Sequence, residues 1–421
     1  MLTDHAYAEL VSPQANEISS VHRWFRFKES FSAALVRKII NEAAEYLGNQ
    51  LRLLDPFCGV GTTLLAAQQM AIDGISVSAT GIEYNPFIHF VAHTKANWSL
   101  IDPSTLMAAG ERALHAAPQR ITLPNTDSIL SERCISRHIA RRIVAIRNHV
   151  ELNEAGGTRN GLLLGVASAV ESLSRTRKDG RALRLVQRAR PDVRQTLWNR
   201  WQMIADDVAF MRTTQSVSNA PTVLRGDGRV PSALGMSPES YDIIVTSPPY
   251  PNNIDYTEVY KLELWLMGLV RTTEEFFDLR RRTFRSHPTT VRNEPTAEFL
   301  RIARTRPLRS VLWPLIERTS RMRERWRARL LLGYFEDLYT ALKEYFTLLR
   351  PQGVAAFVVG NSLQGGSSDP YLIPTDLILA ALARSCGFDV ERAIVARSFK
   401  RRLSGNHFLR ETIVIARKRN G

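Results

Sequence analysis

Residues Ser247-Pro248-Pro249-Tyr250 combine groups that could hold a planar base carrying an exocyclic amine. They follow an apolar run, 241–246, that is typical of a buried strand. Proline lacks a backbone N–H and biases the preceding residue toward extended geometry, so the chain cannot pass directly into a helix. The turn therefore presents a hydroxyl, a carbonyl and an aromatic ring at the carboxyl edge of the strand, where open α/β sheets bind ligands. A proline-stiffened loop without chemistry is the alternative interpretation.

A second motif, upstream, begins with a short apolar strand that ends at Asp55. A Gly-x-Gly turn at 59–61 and an Ala/Leu-rich stretch typical of a helix follow, and glycines in such a turn let the backbone approach a ligand closely. A nicotinamide dinucleotide site would want a third glycine where Leu64 stands, which weakens that interpretation without removing it. The next strand-like run ends at Glu83, about 20 residues on, where an acid that binds ribose hydroxyls is expected.

Together these motifs resemble those of the S-adenosylmethionine-dependent amino-methyltransferases of DNA, which methylate N4 of cytosine or N6 of adenine. Residues 55–63 are similar to the cofactor motif of that family, and 247–250 to its catalytic motif. The resemblance covers most of 20–100 and 221–270 and, more loosely, 334–417. It implies S-adenosylmethionine as the cofactor and an α/β fold, a Rossmann-like methyltransferase sheet with helical, basic insertions.

The resemblance also implies site residues. The catalytic candidates are Ser247, Pro248, Pro249 and Tyr250, and the cofactor-binding candidates are Asp55, Phe57, Gly59, Gly61, Thr62, Glu83, Asp227 and Ser32. Asp227 would receive the adenine amino group of the cofactor, although a Gly-Asp pair after apolar residues is also an ordinary turn. Phe31 and Ser32 would close over the methionine end of the cofactor, and packing of a helix on the sheet explains the aromatic residue equally well.

The spacing of these motifs predicts five regions along the chain. They are an N-terminal arm with the cofactor-binding half of the catalytic domain (1–98), a helical insertion that is a candidate for DNA recognition (99–220), the catalytic half (221–270), an Arg-rich insertion that is a candidate for DNA contact (271–332), and the C-terminal part of the catalytic sheet (333–421).

Basic residues concentrate in the two insertions, and 56 Lys+Arg against 41 Asp+Glu give a net charge of +15 that attracts phosphate. Residues 271–329 contain many arginines and no lysine. Cation-dense loops are predicted at 172–181 and, near the active edge, at 400–407. Solvated helix faces are the alternative for the two insertions, and a solubilising turn is the alternative for 400–407. The first insertion places arginines at roughly helical spacing, at Arg133, Arg137, Arg141, Arg142 and Arg147.

Neither a metal site nor a membrane segment is predicted. Cys58, Cys134 and Cys386 lie far apart without metal-ligand spacing, which fits a reducing compartment. His89 and His93 are four apart, but no further ligand accompanies them. The N-terminus lacks a basic-then-apolar signal, and no run approaches the ~18 apolar residues of a membrane span, so we expect a soluble, cytoplasmic protein.

The predicted chemistry follows from the weak nucleophilicity of an exocyclic amine, whose lone pair is delocalised into the ring. Acceptors that hold its two N–H bonds favour the tetrahedral nitrogen that reacts. We predict that the Ser247 hydroxyl and the Pro248 carbonyl accept these hydrogens, and that Tyr250 stacks on the base. The target amine is inaccessible in a duplex, so base flipping is expected.

Serine at the first motif position resembles the cytosine-N4 branch of the family more than the adenine-N6 branch. We therefore predict a site-specific N4-cytosine DNA methyltransferase for restriction-modification or related marking of host DNA, with adenine N6 as the alternative. Double-stranded DNA is the predicted partner and a cognate restriction endonuclease a further candidate, while the sequence indicates no oligomeric state. An RNA base methyltransferase and a nonenzymatic DNA-binding relict are the rival interpretations.

Overall fold

The structure is a computed structural model. It describes residues 2–3, 7–118, 121–123, 133–178, 183–187, 191–214, 220–252, 254–290, 293–322, 326–365, 369–399 and 409–419. The predicted basic loop at 400–407 and residues 179–181 of the predicted cation-dense loop lie outside the described residues.

One large sheet organises the protein. The strands in chain order are β1 (Leu2–Thr3), β2 (Gln50–Asp55), β3 (Ser76–Glu83), β4 (Thr176–Lys178), β5 (Leu183–Leu185), β6 (Thr222–Arg225), β7 (Tyr241–Thr246), β8 (Leu349–Gly360), β9 (Ser362–Gln364), β10 (Tyr371–Ile373), β11 (Asp389–Phe399) and β12 (Leu409–Arg417). Eight of them form a sheet in the order β1-β11-β12-β8-β7-β2-β3-β6. The run from β8 to β6 is parallel, whereas β12 is antiparallel to both β8 and β11.

The order of the strands places the two sequence motifs side by side. The chain moves outward from β2 in both directions, to β3 and β6 on one side and to β7 and β8 on the other. Leu53 of β2 pairs with Ile243 of β7, so Asp55 and Thr246 end neighbouring parallel strands at one edge. Ligands of open α/β sheets bind at such a reversal of strand order. The predicted α/β fold with a mainly parallel sheet is confirmed.

Helices cover both faces of the sheet and build a separate layer. They are α1 (Ala33–Leu47), α2 (Thr62–Gln69), α3 (Pro86–Ala96), α4 (Pro103–Ala116), α5 (Arg137–Asn153), α6 (Gly156–Leu173), α7 (Val193–Thr214), α8 (Tyr256–Val259), α9 (Lys261–Leu266), α10 (Thr273–Arg281), α11 (Ala297–Ala303), α12 (Leu308–Ser320), α13 (Trp326–Leu348) and α14 (Thr375–Ser385). None of these described helices is long and apolar enough to cross a bilayer.

Helices α4 to α7 pack around one hydrophobic core, which also takes in α3, α9 and residues of the N-terminal arm and the glycine turn. Trp201 of α7 is fully buried there, and its indole N–H donates to the Leu162 carbonyl oxygen at 3.0 Å. Gly165 of α6 makes room for this ring, because a Cβ atom at that position would lie 2.3 Å from Trp201 Cδ1. The core thus fixes α6 and α7 against each other, and both helices contribute side chains near the catalytic edge of the sheet.

Candidate active site

A cavity, here the glycine-turn cavity, opens at the carboxyl ends of β2, β3 and β7. Among its lining residues are Asp55, Phe57, Gly59, Thr62, Glu83, Asp227, Ser247 and Pro249. Residues more than 190 positions apart in sequence, such as Asp55 and Ser247, therefore face one space. Gly61, Ser32, Pro248 and Tyr250 are not among the residues that line this cavity.

The glycine turn adopts backbone geometry that few other residues tolerate. Gly59 and Gly61 have φ angles of 52° and 85°, and Gly61 is the N-cap of α2. The left-handed region is nearly free of steric cost only for glycine. Gly61 faces Ala92 rather than the cavity. The Phe27 ring lies 3.3 Å from the position that a Cβ atom of Gly59 would take.

Asp55 holds the turn from within. Its carboxylate accepts hydrogen bonds from the Phe57 amide at 3.1 Å and from the Thr63 hydroxyl at 2.5 Å. The residue is 2% exposed, and burial raises the pKa of its carboxyl to about 6 despite these hydrogen bonds. The carboxylate therefore ties the end of β2 to the start of α2.

Glu83 ends β3 beside it. Its carboxylate accepts a hydrogen bond from the Asn85 amide at 2.7 Å. Burial, together with the nearby Asp55, raises the pKa of Glu83 to about 7. No ion pair joins either carboxylate to a cation among the described residues. Paired acids without a counter-cation fit a ligand that is itself cationic and carries hydroxyl groups.

Asp227 lines the same cavity but is held by an arginine that the sequence analysis did not single out. Arg229 binds both carboxylate oxygens of Asp227, at 2.6 Å and 2.9 Å, and donates to Asp337 at 2.9 Å. These acids raise the pKa of the half-buried Arg229 guanidinium. The only sequence signal for this role of Arg229 is an acid two residues before it. Such a spacing is too common to be diagnostic.

Ser32, a predicted cofactor-binding residue, caps a helix in the structure. It is the N-cap of α1, its hydroxyl accepts from the Ala34 amide at 3.1 Å, and it does not line the cavity. Ser30 lines the cavity instead, and its hydroxyl lies 2.8 Å from that of Thr62. The segment before α1 therefore does reach the glycine turn, but two residues earlier in the chain.

A second cavity, here the proline-turn cavity, lies on the other side of the catalytic motif. Ser247, Pro248 and Tyr250 line it. Ser247 also lines the glycine-turn cavity, so it belongs to the walls of both. The other residues common to the two cavities are Glu29, Ser30, Phe31 and Tyr256.

The hydroxyl of Ser247 is oriented by the sheet. Its Oγ atom lies 3.0 Å from the Val358 carbonyl oxygen, to which it donates, and 3.4 Å from the Tyr250 hydroxyl. With its hydrogen directed to the Val358 carbonyl, the Ser247 oxygen retains lone pairs that can accept hydrogen bonds. Among the described residues, none donates to the Pro248 carbonyl, which is available as a second acceptor.

The rest of the proline turn is fixed from outside. The Tyr334 hydroxyl donates to the Pro249 carbonyl at 2.9 Å, and the Gln364 side-chain amide donates to the Pro251 carbonyl at 2.8 Å. The Tyr250 ring packs on Gly360, where a Cβ atom would lie 2.7 Å from it. Burial raises the pKa of the Tyr250 hydroxyl, which therefore stays protonated near neutral pH.

An aromatic pile supports the glycine turn from the side of the helical layer. The Phe27 ring stacks on Tyr260 with centroids 5.9 Å apart and an interplanar angle of 16°. The ammonium of Lys178 lies 4.5 Å from the Tyr260 centroid and pairs with Glu263. Tyr260 also separates α8 from α9.

Part of the predicted phosphate-binding arginine set serves the fold instead. Arg142 donates to the carbonyl oxygens of Leu114 and Ala117, and Arg147 donates to that of Leu266. In the Arg-rich insertion, Arg280 pairs with Asp255, and Arg285 pairs with Glu336 and Asp337. These guanidinium groups are committed to protein acceptors. The predicted phosphate contact therefore stays a prediction for the other arginines of the insertions.

Comparisons with known proteins agree with the motifs. No family model matches the chain. The chain is 28% identical to the type II methyltransferase M.AvaI of a Nostoc species, across 97% of this chain and 89% of that protein. It is 26% identical to the type II methyltransferase M.BsoBI of Geobacillus stearothermophilus, across 90% of this chain and 81% of that protein. These relatives confirm the predicted resemblance to methyltransferases.

Solved structures are more distant. TrmN from Thermus thermophilus is 11% identical with a TM-score of 0.28, over 92% of this chain and 48% of that chain. A SAM-dependent methyltransferase from Methanosarcina mazei is 12% identical with a TM-score of 0.31, over 91% of this chain and 98% of that chain. Similarity at this level adds nothing to the fold assignment, which rests on the strand order.

Proposed function

We propose that this chain, a relative of type II methyltransferases along most of its length, is a DNA methyltransferase that uses S-adenosylmethionine and modifies N4 of cytosine. One observation supports the proposal above the others. Ser247 lines both the cavity at the glycine turn and the cavity at the proline turn. A donor in the first and a base in the second would meet at its hydroxyl.

The residues of the glycine-turn cavity suit the cofactor. S-adenosylmethionine supplies a sulfonium methyl group that is open to attack by a nucleophile. Glu83 would accept hydrogen bonds from the ribose hydroxyls, and Asp55 would keep the turn in shape through Phe57 and Thr63. Phe57 and Asp227 would lie along the adenine, with Arg229 holding the Asp227 carboxylate in place. The two unpaired acids favour a cation in this space.

The proline-turn cavity would receive the flipped base. Ser247 Oγ and the Pro248 carbonyl would accept hydrogen bonds from the two N–H groups of the exocyclic amine. These two contacts would direct the amine nitrogen toward the wall that the two cavities share. The Tyr250 ring would contact the base plane. Enclosure of these acceptors away from bulk water strengthens their interaction with the charge that develops on nitrogen.

The identity of the modified base is tested by incubating duplex DNA with the protein and labelled S-adenosylmethionine, digesting it to nucleosides and separating these by mass spectrometry. We expect N4-methylcytosine. N6-methyladenine as the sole product would overturn the choice of base while leaving the DNA methyltransferase proposal intact. In a parallel incubation with RNA, label transferred to RNA and not to the duplex DNA would support the rival class of enzyme.

Ser247→Ala separates chemistry from binding. Loss of one acceptor at the reacting nitrogen is expected to lower kcat by about a hundredfold or more. S-adenosylmethionine affinity should change little, since the hydroxyl serves the base. Equal activity of wild type and variant would exclude the assigned role of the hydroxyl. A protein that binds no S-adenosylmethionine at all would favour the nonenzymatic relict.

Double-stranded DNA is the proposed partner, and the cytoplasm, where host DNA is accessible, is the proposed location. A cognate endonuclease belongs to the same proposal, because type II methyltransferases are the relatives of this chain. Genomic DNA from cells with and without the gene, digested by a panel of restriction enzymes, should differ in protection at one recognition sequence.

A further inference from the structure

A third cavity, here the polar cavity, lies where the N-terminal arm, the glycine turn and the helical layer meet. It shares Phe27, Ser30, Val60 and Thr62 with the glycine-turn cavity. The remaining wall comes from the arm, from the end of α3 and from α6, β4 and α7. The Ser30 and Thr62 hydroxyls, 2.8 Å apart, stand at the boundary between the two spaces.

Cations dominate the wall of the polar cavity. Arg23, Arg26, Lys95, Lys178 and Arg200 line it, against the acids Glu17 and Glu171. Three of these cations have a carboxylate partner of their own. Arg23 pairs with Asp207, Arg26 with Glu17, and Lys178 with Glu263.

Lys95 and Arg200, in contrast, form no ion pair with a described carboxylate. Lys95 is 1% exposed and donates only to uncharged acceptors, the carbonyls of His22 at 2.8 Å and Phe25 at 3.2 Å. Burial without an acid beside it lowers the pKa of Lys95 to about 7. Arg200 is half-buried and has Glu171 as its nearby acid, while the Glu171 carboxylate also accepts from the Lys178 amide at 3.4 Å.

His22 supplies an unused polar atom. The residue is 5% exposed and lines the cavity, and its Nε2 atom makes no hydrogen bond with any described residue. Burial and the neighbouring Lys95 lower the pKa of His22 to about 3, so the ring is neutral and Nε2 can carry a hydrogen. A buried donor without an acceptor is costly, and an anion in the cavity would provide one.

We propose that the polar cavity is an oxyanion site formed by Lys95, Arg200 and His22, and that its occupant is the carboxylate at the methionine end of the methyl donor. The inference rests on the proposed function, because the donor must occupy the glycine-turn cavity for its carboxylate to reach past Ser30 and Thr62. It assigns to α7 of the helical layer a part in holding the cofactor.

The test compares the binding of S-adenosylmethionine with that of its decarboxylated analogue, which keeps the sulfonium and the adenosine. Wild type should bind the analogue about tenfold or more weakly, as expected for the loss of a charge-assisted contact. Arg200→Gln should weaken S-adenosylmethionine binding and leave the analogue nearly unaffected, so the preference for the carboxylate shrinks. Calorimetry measures both constants and requires no turnover.

Arg194→Gln is the matched control, because Arg194 lies on the same helix, is exposed and contacts His115 rather than the polar cavity. This variant should keep the wild-type preference. An unchanged preference in Arg200→Gln would overturn the assignment. Failure of wild type to bind either compound would instead refute the proposed function, so the two failures are distinguishable.

Inorganic phosphate distinguishes the source of the oxyanion. If the cavity takes the cofactor carboxylate, phosphate should compete with S-adenosylmethionine in wild type and much less in Arg200→Gln. Phosphate that binds wild type together with S-adenosylmethionine, without competition, would show an oxyanion site that serves another ligand and would overturn the carboxylate assignment.

Discussion

The Tyr334 hydroxyl donates a hydrogen bond of 2.9 Å to the Pro249 carbonyl and so connects α13 to the centre of the proline turn. Tyr334 is fully buried, and its ring meets Phe284 and Phe335 edge to face. The hydroxyl therefore has a fixed position, and the carbonyl it binds lies next to the acceptor proposed for the target amine.

Tyr334→Phe removes this hydrogen bond while keeping the ring. We expect kcat to fall about three- to tenfold, the range for loss of a hydrogen bond of about 0.5–1.5 kcal/mol. S-adenosylmethionine affinity should be unchanged, since Tyr334 does not line the glycine-turn cavity. Tyr339→Phe on the same helix, whose hydroxyl contacts Glu298, should leave kcat alone. Equal kcat values for both variants would show that the turn needs no such support.

The raised pKa of Glu83, about 7, predicts a pH dependence of cofactor binding. A carboxyl whose pKa is higher in the folded chain binds its proton more tightly there, so this group stabilises the unliganded protein at low pH. That contribution is lost as the pH rises from the ordinary pKa of a glutamate to the raised pKa of Glu83, about 7. A cationic ligand prefers the ionised carboxylate. The melting temperature shift caused by S-adenosylmethionine should therefore be larger at about pH 8 than at about pH 6.

Glu83→Gln is the control for that dependence. The amide keeps the acceptor oxygen but cannot ionise, so binding should be weaker and nearly independent of pH over the same interval. Any slope that persists in Glu83→Gln belongs to other groups, including Asp55, Lys95 and the amino group of the ligand. A wild-type slope no steeper than that of the variant would contradict the role given to Glu83.

Gly228 makes the closest backbone approach of the site. A Cβ atom there would stand 1.8 Å from the Pro56 carbonyl oxygen, so Gly228→Ala must displace the glycine turn from Asp227. We expect a loss of about 1–3 kcal/mol in unfolding free energy and no thermal shift with S-adenosylmethionine. Gly235→Ala places a Cβ in open space at a φ of 80°. It should be destabilised, yet retain the thermal shift.

Exposed arginines of the second insertion should set the salt dependence of DNA binding. Arg309 and Arg321 are exposed and form no ion pair with described residues. Replacing either by glutamine should weaken DNA binding and reduce the slope of log affinity against log salt by about 0.9 for each lost phosphate contact. Arg318→Gln is the control, because Arg318 is paired with Asp369. Identical slopes in all variants would place the DNA elsewhere.

The two motifs were predictable from sequence because each combines a strand with a turn whose residue types are restrictive. Prolines at 248 and 249 restrict the backbone, and glycines at 59 and 61 permit a left-handed turn that other residues rarely adopt, so the geometry of both turns follows from nearby residues. Their meeting in one cavity depends on β2 and β7 being neighbours.

Residues whose role depends on distant contacts could not be predicted. Arg229 donates a hydrogen bond to Asp337, and Tyr334 donates one to the Pro249 carbonyl. Each bond joins residues more than 80 positions apart in the chain. The place of Ser30 at the glycine turn has a similar origin, because the start of α1 fixes which hydroxyl caps the helix and which faces Thr62. The contacts of Tyr260 with Phe27 and Lys178 likewise join residues that are far apart in the chain, and local helical periodicity does not reveal them.

The packed side chains of Phe27, Tyr260 and Lys178 connect two parts of the protein that are far apart in sequence, the glycine turn and the helical layer. Lys178 belongs to the helical layer, and Phe27 lies against Gly59. Any displacement of that layer by nucleic acid would alter the support under the glycine turn. Thermodynamic linkage then requires the converse, so that occupancy at the turn changes affinity for nucleic acid by the same factor.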